Sequence, residues 1–439
     1  MSLTQSDVAH VICASGLLLI AAHLVGYLFV RARQPRVVGE IAGGLILGPT
    51  VLGAAIPGLQ HSLFPTSGVT ATVLGALYQF GIIFLMFATG STLRTLFRST
   101  ERRVAVSISG AGIVIPFAAG LAAFHLFQLG YLHGTANSSG SLSLVFATAI
   151  AVASIPVISR IMLDLGIANT PFARIVLSAA VIEDIVLYAV LAIAVGLAGG
   201  NVGSFGVARW LHIAPASLSG SCYYAGVTVV ILVSALTGGR RIAKVCRSTV
   251  LSPVAYLVVL LLAVTMLCLT LSITPVFGGL AAGTMVSELE DDETEKARSA
   301  IAQVGAAFFI PLYFAIVGIQ LNLVRNFNPF FFAAFLAFAC IAKGYSVYVG
   351  ARLAGEAPTT SRNLAVALNA RGGPGIVLAS VALSARIIDG RLYAYIVLLS
   401  VVTSSFAGAW LGRVLRIGAP LRTVSVVETA SQSALPQSP

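Results

Sequence analysis

Two adjacent carboxylates, Glu183 and Asp184, lie near the middle of the apolar stretch 171–197. That stretch is longer than the about 20 residues a helix needs to cross a bilayer. An ionised acid at such depth costs roughly 3 kcal/mol on insertion scales, so two in succession need a chemical reason. An ion path, a proton relay or neutralisation by a paired cation would each supply one. A cation is at hand. Lys343 is central in the apolar segment 329–354, too far from either end to snorkel, and pairing with Glu183 is the expected outcome. Neighbours on a helix point about 100° apart. One acid therefore faces Lys343 while the other faces a cavity, which gives the two different roles.

Two helix breaks accompany these groups. Ala149–Arg160 carries Pro156, which removes a hydrogen bond, clashes with the preceding turn and leaves Ser154 and freed carbonyls beside it. Asn369–Ile376 contains Arg371, Gly372, Gly373 and Pro374 in succession, a run that cannot continue a helix. Non-helical backbone at membrane depth survives only where protein buries it or where it lines an aqueous cavity.

The elements that must hold these groups follow from composition. Of 439 residues, 58% are hydrophobic and 9% charged, whereas soluble domains carry about 25% charged residues. The chain reads as an all-α polytopic membrane protein of about 13 transmembrane helices. The segments are 8–30, 36–55, 69–91, 103–128, 142–164, 171–197, 222–238, 251–271, 274–287, 299–319, 329–354, 361–385 and 392–415. Alternate loops hold 20 of the 26 basic residues, from Arg31, Arg33 and Arg36 to Arg413, Arg416 and Arg422. Positive loops face the cytoplasm. This puts the N-terminus outside, the C-terminus inside and the protein in the inner (plasma) membrane. The first segment has no basic residue ahead of it and is too long for a signal peptide core, so it is read as a retained helix. The net charge of +11 then reflects cytoplasmic loops rather than nucleic-acid binding. Five scattered cysteines make neither a disulfide framework nor a zinc site. The six acids between Glu288 and Glu295 read as a solvated turn.

The two breaks fall in the second-to-last helix of two five-helix units, segments 2–6 and 9–13. Five is odd, so the units run in opposite senses across the membrane. Inverted repeats with broken helices at their interface are a transporter arrangement.

Several stretches resemble the monovalent cation:proton antiporter-2 family, and with them the bacterial NapA-type sodium/proton antiporters. They are Arg36–Gly53 with its glycine-rich core, Gly81–Phe87, Phe309–Gly318 and Lys343–Gly355. The resemblance covers about 8–416 and implies the inverted-repeat antiporter fold with two crossing broken helices. It implies a membrane domain over 1–416, with scaffold and dimer helices at about 8–91 and 251–319, core helices at about 103–197 and 329–415, and a linker at about 222–238. A disordered cytoplasmic tail, 417–439, follows. It further implies that Asp184 binds proton and cation in turn, that the acid before it pairs with Lys343, and that the protein is a homodimer in the lipid bilayer. No cofactor and no enzymatic activity are expected. Glu183 stands where electrogenic members have Asp. Gly90–Thr92 and Arg371–Gly373 replace the family's Gly-x-Glu and Arg-Gly-Glu.

On this reading a monovalent cation, sodium or else lithium or potassium, competes with a proton for Asp184. Burial favours the protonated carboxyl and a nearby cation the ionised one. Hard cations take oxygen ligands, and Thr148, Ser154 and carbonyls near Ile155 are the expected remainder of the shell. Rival readings are a sodium-coupled organic solute symporter and a potassium/proton antiporter. An intramembrane aspartyl protease is excluded, because its dyad needs acids on facing helices.

Overall fold

The computed structural model describes residues 4–198 apart from Arg33, 98–101 and Asn169, residues 251–422 apart from Ser272, Glu288 and Glu290, and scattered positions between 226 and 241. Most of the expected linker helix 222–238, and nearly all of the expected tail, lie outside the described residues. Among the described residues ten helices are long and apolar enough to cross a membrane, and two shorter apolar ones, Ser139–Ala151 and Pro275–Val286, fill remaining places in the expected order. Twelve of the thirteen segments are thus accounted for; the seventh is the linker.

The long helices are α1 (Gln5–Arg31), α2 (Arg36–Leu47), α3 (Val69–Phe97) and α4 (Arg102–Leu126). The first broken helix follows as α5 (Ser139–Ala151) and α6 (Ile155–Asp164), then α7 (Pro171–Leu197). After the linker come α8 (Pro253–Thr270), α9 (Pro275–Val286), α10 (Asp292–Gln320) and α11 (Pro329–Leu353). The second broken helix is α12 (Pro358–Ala367) and α13 (Gly372–Ser384), and α14 (Gly390–Arg416) ends the bundle.

Sequence signals set the starts. Thr170, Ser252 and Asn328 each cap with a side-chain oxygen and are followed by Pro at the first helical position, where its missing N–H costs nothing. Thr4 and Asp7 form a capping box at the head of α1. The acidic run near 291 is more than a solvated turn. Asp291 caps α10 by accepting from the Thr294 amide, and Asp292, Glu293 and Glu295 occupy its first turn. Carboxylates there oppose the positive end of the helix dipole.

The helices gather into two bundles. α1, α2, α3, α8, α9 and α10 pack on one another, as do α4–α7 with α11–α14; the main helix contact between the bundles is α3 against α7. Glycines set the closest approaches in the first bundle. Gly44 and Gly318 press the backbones of α2 and α10 together, and a methyl at either would strike the opposite chain. The register of these contacts fits the inverted repeat. Gly44 meets Ala315 and Gly48 meets Ile319, so α2 and α10 run parallel. Gly279 meets Ile83 and Gly283 meets Phe87, so α3 and α9 do the same. α4 and α11, which a two-fold axis would exchange, pass antiparallel: Ser107 donates to the Gly350 carbonyl, and Lys343 to that of Gly112.

Candidate functional site

The expected pair forms. Lys343 Nζ lies 2.7 Å from Glu183 Oε2, both side chains fully buried, and it also donates to the carbonyls of Gly112 at 2.9 Å and Ala151 at 2.6 Å. An unpaired charge at this depth would be costly, and these contacts use all three ammonium protons. Space for the glutamate comes from Gly112 on α4: a Cβ there would lie 2.5 Å from Glu183 Oε1 and 3.4 Å from Lys343 Nζ. The sequence reading did not single out Gly112. Its signal was only a small residue in a helix facing two charges.

Asp184 faces elsewhere. It is 3% exposed, and neither carboxylate oxygen has a hydrogen-bond partner among the described residues. It lines a cavity with Thr148, Val152, Leu187, Tyr188, Leu191, Pro374 and Leu378, with about 10 Å³ of water-accessible space. Such a space holds about one water-sized particle. Thr148 donates its hydroxyl to the Leu144 carbonyl. The walls come from α5, α7 and α13, so the acid stands beside the crossing of the two broken helices.

At the crossing both expected breaks are present, and in each the proline stands just after the break. The first lies at 152–154, ahead of Ile155 and Pro156, which open α6. Proline fits the first turn of a helix, so Pro156 starts the second half instead of bending a continuous one. Pro374 likewise stands in the first turn of α13, behind Gly372, whose φ of +32° favours glycine. Ser154 joins the two breaks. Its hydroxyl oxygen accepts from the Val157 amide at 3.4 Å and from the Gly373 amide at 3.2 Å, and Ser154 is not a wall of the Asp184 cavity. Its lone pairs serve the two helix starts in this structure. Gly372 N–H is taken by Ser404 and Arg371 N–H by Thr403.

Arg371 has a larger part than sequence reasoning gave it. Fully buried, it donates from Nε to the Ala149 carbonyl at 3.2 Å and from Nη2 to those of Ile150 at 2.9 Å and Ala339 at 2.8 Å. Nη1 holds the Asn369 side chain at 2.6 Å. With Lys343 on Ala151, two cations cover the last three carbonyls of α5. These are orphan acceptors at the negative end of a half-helix. The carbonyls of Ala149, Ile150 and Ala151, just ahead of the break, are thus held by side-chain donors.

A second, larger space lies away from Asp184. A cleft of about 750 Å³ opens between the end of α1 at Val30, the following Pro35, and α6 and α14 at Ile161, Leu165, Gly408 and Arg416.

Crossed broken helices, opposite-running repeats and a buried carboxylate beside the crossing define a polytopic membrane transporter. The chain belongs to the sodium/hydrogen exchanger family, whose transmembrane domain it matches over residues 19–417. It is 29% identical to the Na(+)/H(+) antiporter NhaS4 of Synechocystis sp. over 87% of this chain and 92% of that one. It is 28% identical to the K(+)/H(+) antiporter 1 of Saccharomyces cerevisiae over 88% of this chain, though over only 44% of the yeast protein. The Na(+)/H(+)-K(+) antiporter GerN of Bacillus cereus is 24% identical, with 88% of this chain and 92% of that one covered. In fold it is similar to the sodium proton antiporter MjNhaP1 from Methanocaldococcus jannaschii, with a TM-score of 0.61 at 15% identity over 93% of this chain and 98% of the other.

Proposed function

We propose that the protein exchanges a monovalent cation for protons by alternating access, with Asp184 holding proton and cation in turn. The observation that carries this reading is the Asp184 carboxylate itself: buried, without a hydrogen-bond partner among the described residues, and carried by a residue that lines a small cavity with Thr148 beside the crossing of two broken helices. A group that can be neutralised by a proton or by a cation, and by nothing in its own surroundings, couples the two fluxes through competition alone. Glu183 does not compete for the ion, because its charge is committed to Lys343. The first bundle is the scaffold and dimer surface, and the second is the core that moves against it. The basic loops support a location in the plasma membrane with the C-terminus inside.

Sodium is the first candidate, from the names of the bacterial relatives; the yeast relative makes potassium the second. The test is reconstitution in liposomes with a trapped pH dye, adding sodium, lithium or potassium singly. Cation-driven proton movement in the parent, absent in Asp184→Asn, is expected. No proton movement with any ion would overturn exchange, and activity persisting in the variant would overturn the site. Dependence of the rate on an imposed voltage reads whether the Glu183–Lys343 pair accompanies net charge movement.

A further inference from the structure

A second polar residue among those that line the Asp184 cavity has no role in the exchange reading. Tyr188 lies four residues beyond Asp184 on α7 and lines the same cavity. Positions i and i+4 share a helix face, and long helical side chains lean back toward the N-terminus, so the phenol stands over the turn that carries Asp184. The residue is 4% exposed. Its hydroxyl donates to Met86 Sδ on α3 at 3.5 Å. A thioether is a weak acceptor, whereas buried hydroxyls ordinarily find a strong one. The arrangement is thus a poorly satisfied donor on a residue that shares a cavity lining with Asp184, whose carboxylate has no donor among the described residues. Phe277 of α9 meets the Tyr188 ring edge-on at 6.1 Å and holds the ring independently of its hydroxyl. Met86 and Phe277 both belong to the first bundle, and α3 against α7 is the main helix contact between the bundles.

We propose that the Tyr188 hydroxyl is a working member of the ion site. It donates to the ionised Asp184 carboxylate, gives an oxygen lone pair to the bound cation, and returns to Met86 when Asp184 carries the proton. The weak acceptor makes this turn inexpensive, since only a thioether contact is given up. The inference rests on Asp184 being the exchange carboxylate. It adds a neutral oxygen ligand that a hard cation prefers, and one whose reach depends on how the two bundles sit.

Tyr188→Phe removes the hydroxyl and keeps the ring. Sodium-dependent proton movement in liposomes and the sodium-induced rise in Tm of purified protein are measured for the parent, Tyr188→Phe and Asp184→Asn. The expected result is an apparent KM for sodium at least about tenfold higher in Tyr188→Phe, the loss of one hydrogen bond to a charged group. Maximal rate is retained and the sodium-induced Tm rise is reduced. Unchanged KM and unchanged sodium stabilisation would overturn the proposal, as would a fall in maximal rate alone, which a packing role would give. Met86→Leu leaves the hydroxyl and is expected to keep the sodium KM within about twofold, as a volume-conserving swap should. A tenfold rise there would assign the effect to the sulfur and overturn the proposal. If Asp184→Asn keeps exchanging, the exchange site itself is wrong; if it is inactive while Tyr188→Phe matches the parent, only the role of Tyr188 falls.

Discussion

Glu183 carries one methylene more than the aspartate that the family resemblance implies, and the fold accommodates that length through a missing side chain on α4. Gly112→Ala would place a methyl against Glu183 Oε1. Overpacking of this kind costs about 1–3 kcal/mol, and the expected outcome is a Tm lowered by several degrees in detergent. Glu183→Gln breaks the buried pair while Lys343 keeps the carbonyls of Gly112 and Ala151. Removing one partner of such a pair costs about 3–5 kcal/mol. The two retained acceptors put the expectation at about 3, with cation-driven proton movement continuing because Asp184 is untouched. Asp184 predicts a pH dependence as well. If proton and cation exclude each other there, each fall of one pH unit below the titration point raises the apparent KM for sodium by about tenfold, while at high pH the KM levels off. A KM that stays flat as pH falls would contradict a shared site. The acid pair and its lysine were legible from residue type and depth alone. Gly112 and Tyr188 were not, because a glycine or tyrosine in an apolar helix carries no signal until its neighbours are known.

At the scale of elements, the position of both breaks could be read from Pro156 and from Gly372–Gly373–Pro374, but the fate of the freed backbone groups could not. The carbonyls of Ala149 and Ile150 are met by Arg371, more than 200 positions away in the chain. Such pairings depend on how the half-helices cross, which local pattern does not encode. The same gap covers Ser154, whose acceptance from the amides of Val157 and Gly373 was not legible in the sequence. Arg371→Lys tests the clamp. An ammonium lacks the planar five-donor fork and would leave some of the Ala149, Ile150, Ala339 and Asn369 acceptors unpaired. Each buried polar group left without a partner costs about 1–3 kcal/mol. The variant is expected to unfold at clearly lower temperature than the parent in a thermal melt. A melt equal to that of the parent would show that lysine replaces the clamp.

At the scale of the whole molecule, small residues such as Gly43, Gly44 and Gly48 suit close helix contact. The structure uses all three within the chain: Gly43 against Ala21 of α1, Gly44 and Gly48 against α10. These contacts, with the matching approach of α3 and α9, make the first bundle a tightly joined unit. The second bundle meets it mainly through α3 and α7, and that is the arrangement rigid-body movement requires. The cleft of about 750 Å³ separates the two bundles at the end where α1 and α14 carry Arg31 and Arg416. If the core rocks against the scaffold, this cleft must narrow once in each cycle. Gly408 lines it from α14, and a Cβ there would meet Ile161 at an ordinary contact distance of 3.8 Å, so a methyl fits and a larger side chain has the cleft to extend into. Gly408→Trp is therefore expected to fold normally, to keep its sodium-induced rise in Tm, and to lose at least about tenfold in turnover, because a wedge in a closing interface blocks the conformational step and not the binding. Full turnover in that variant would mean that the bundles do not approach each other there, and would require access to Asp184 to alternate by movement of the broken helices alone.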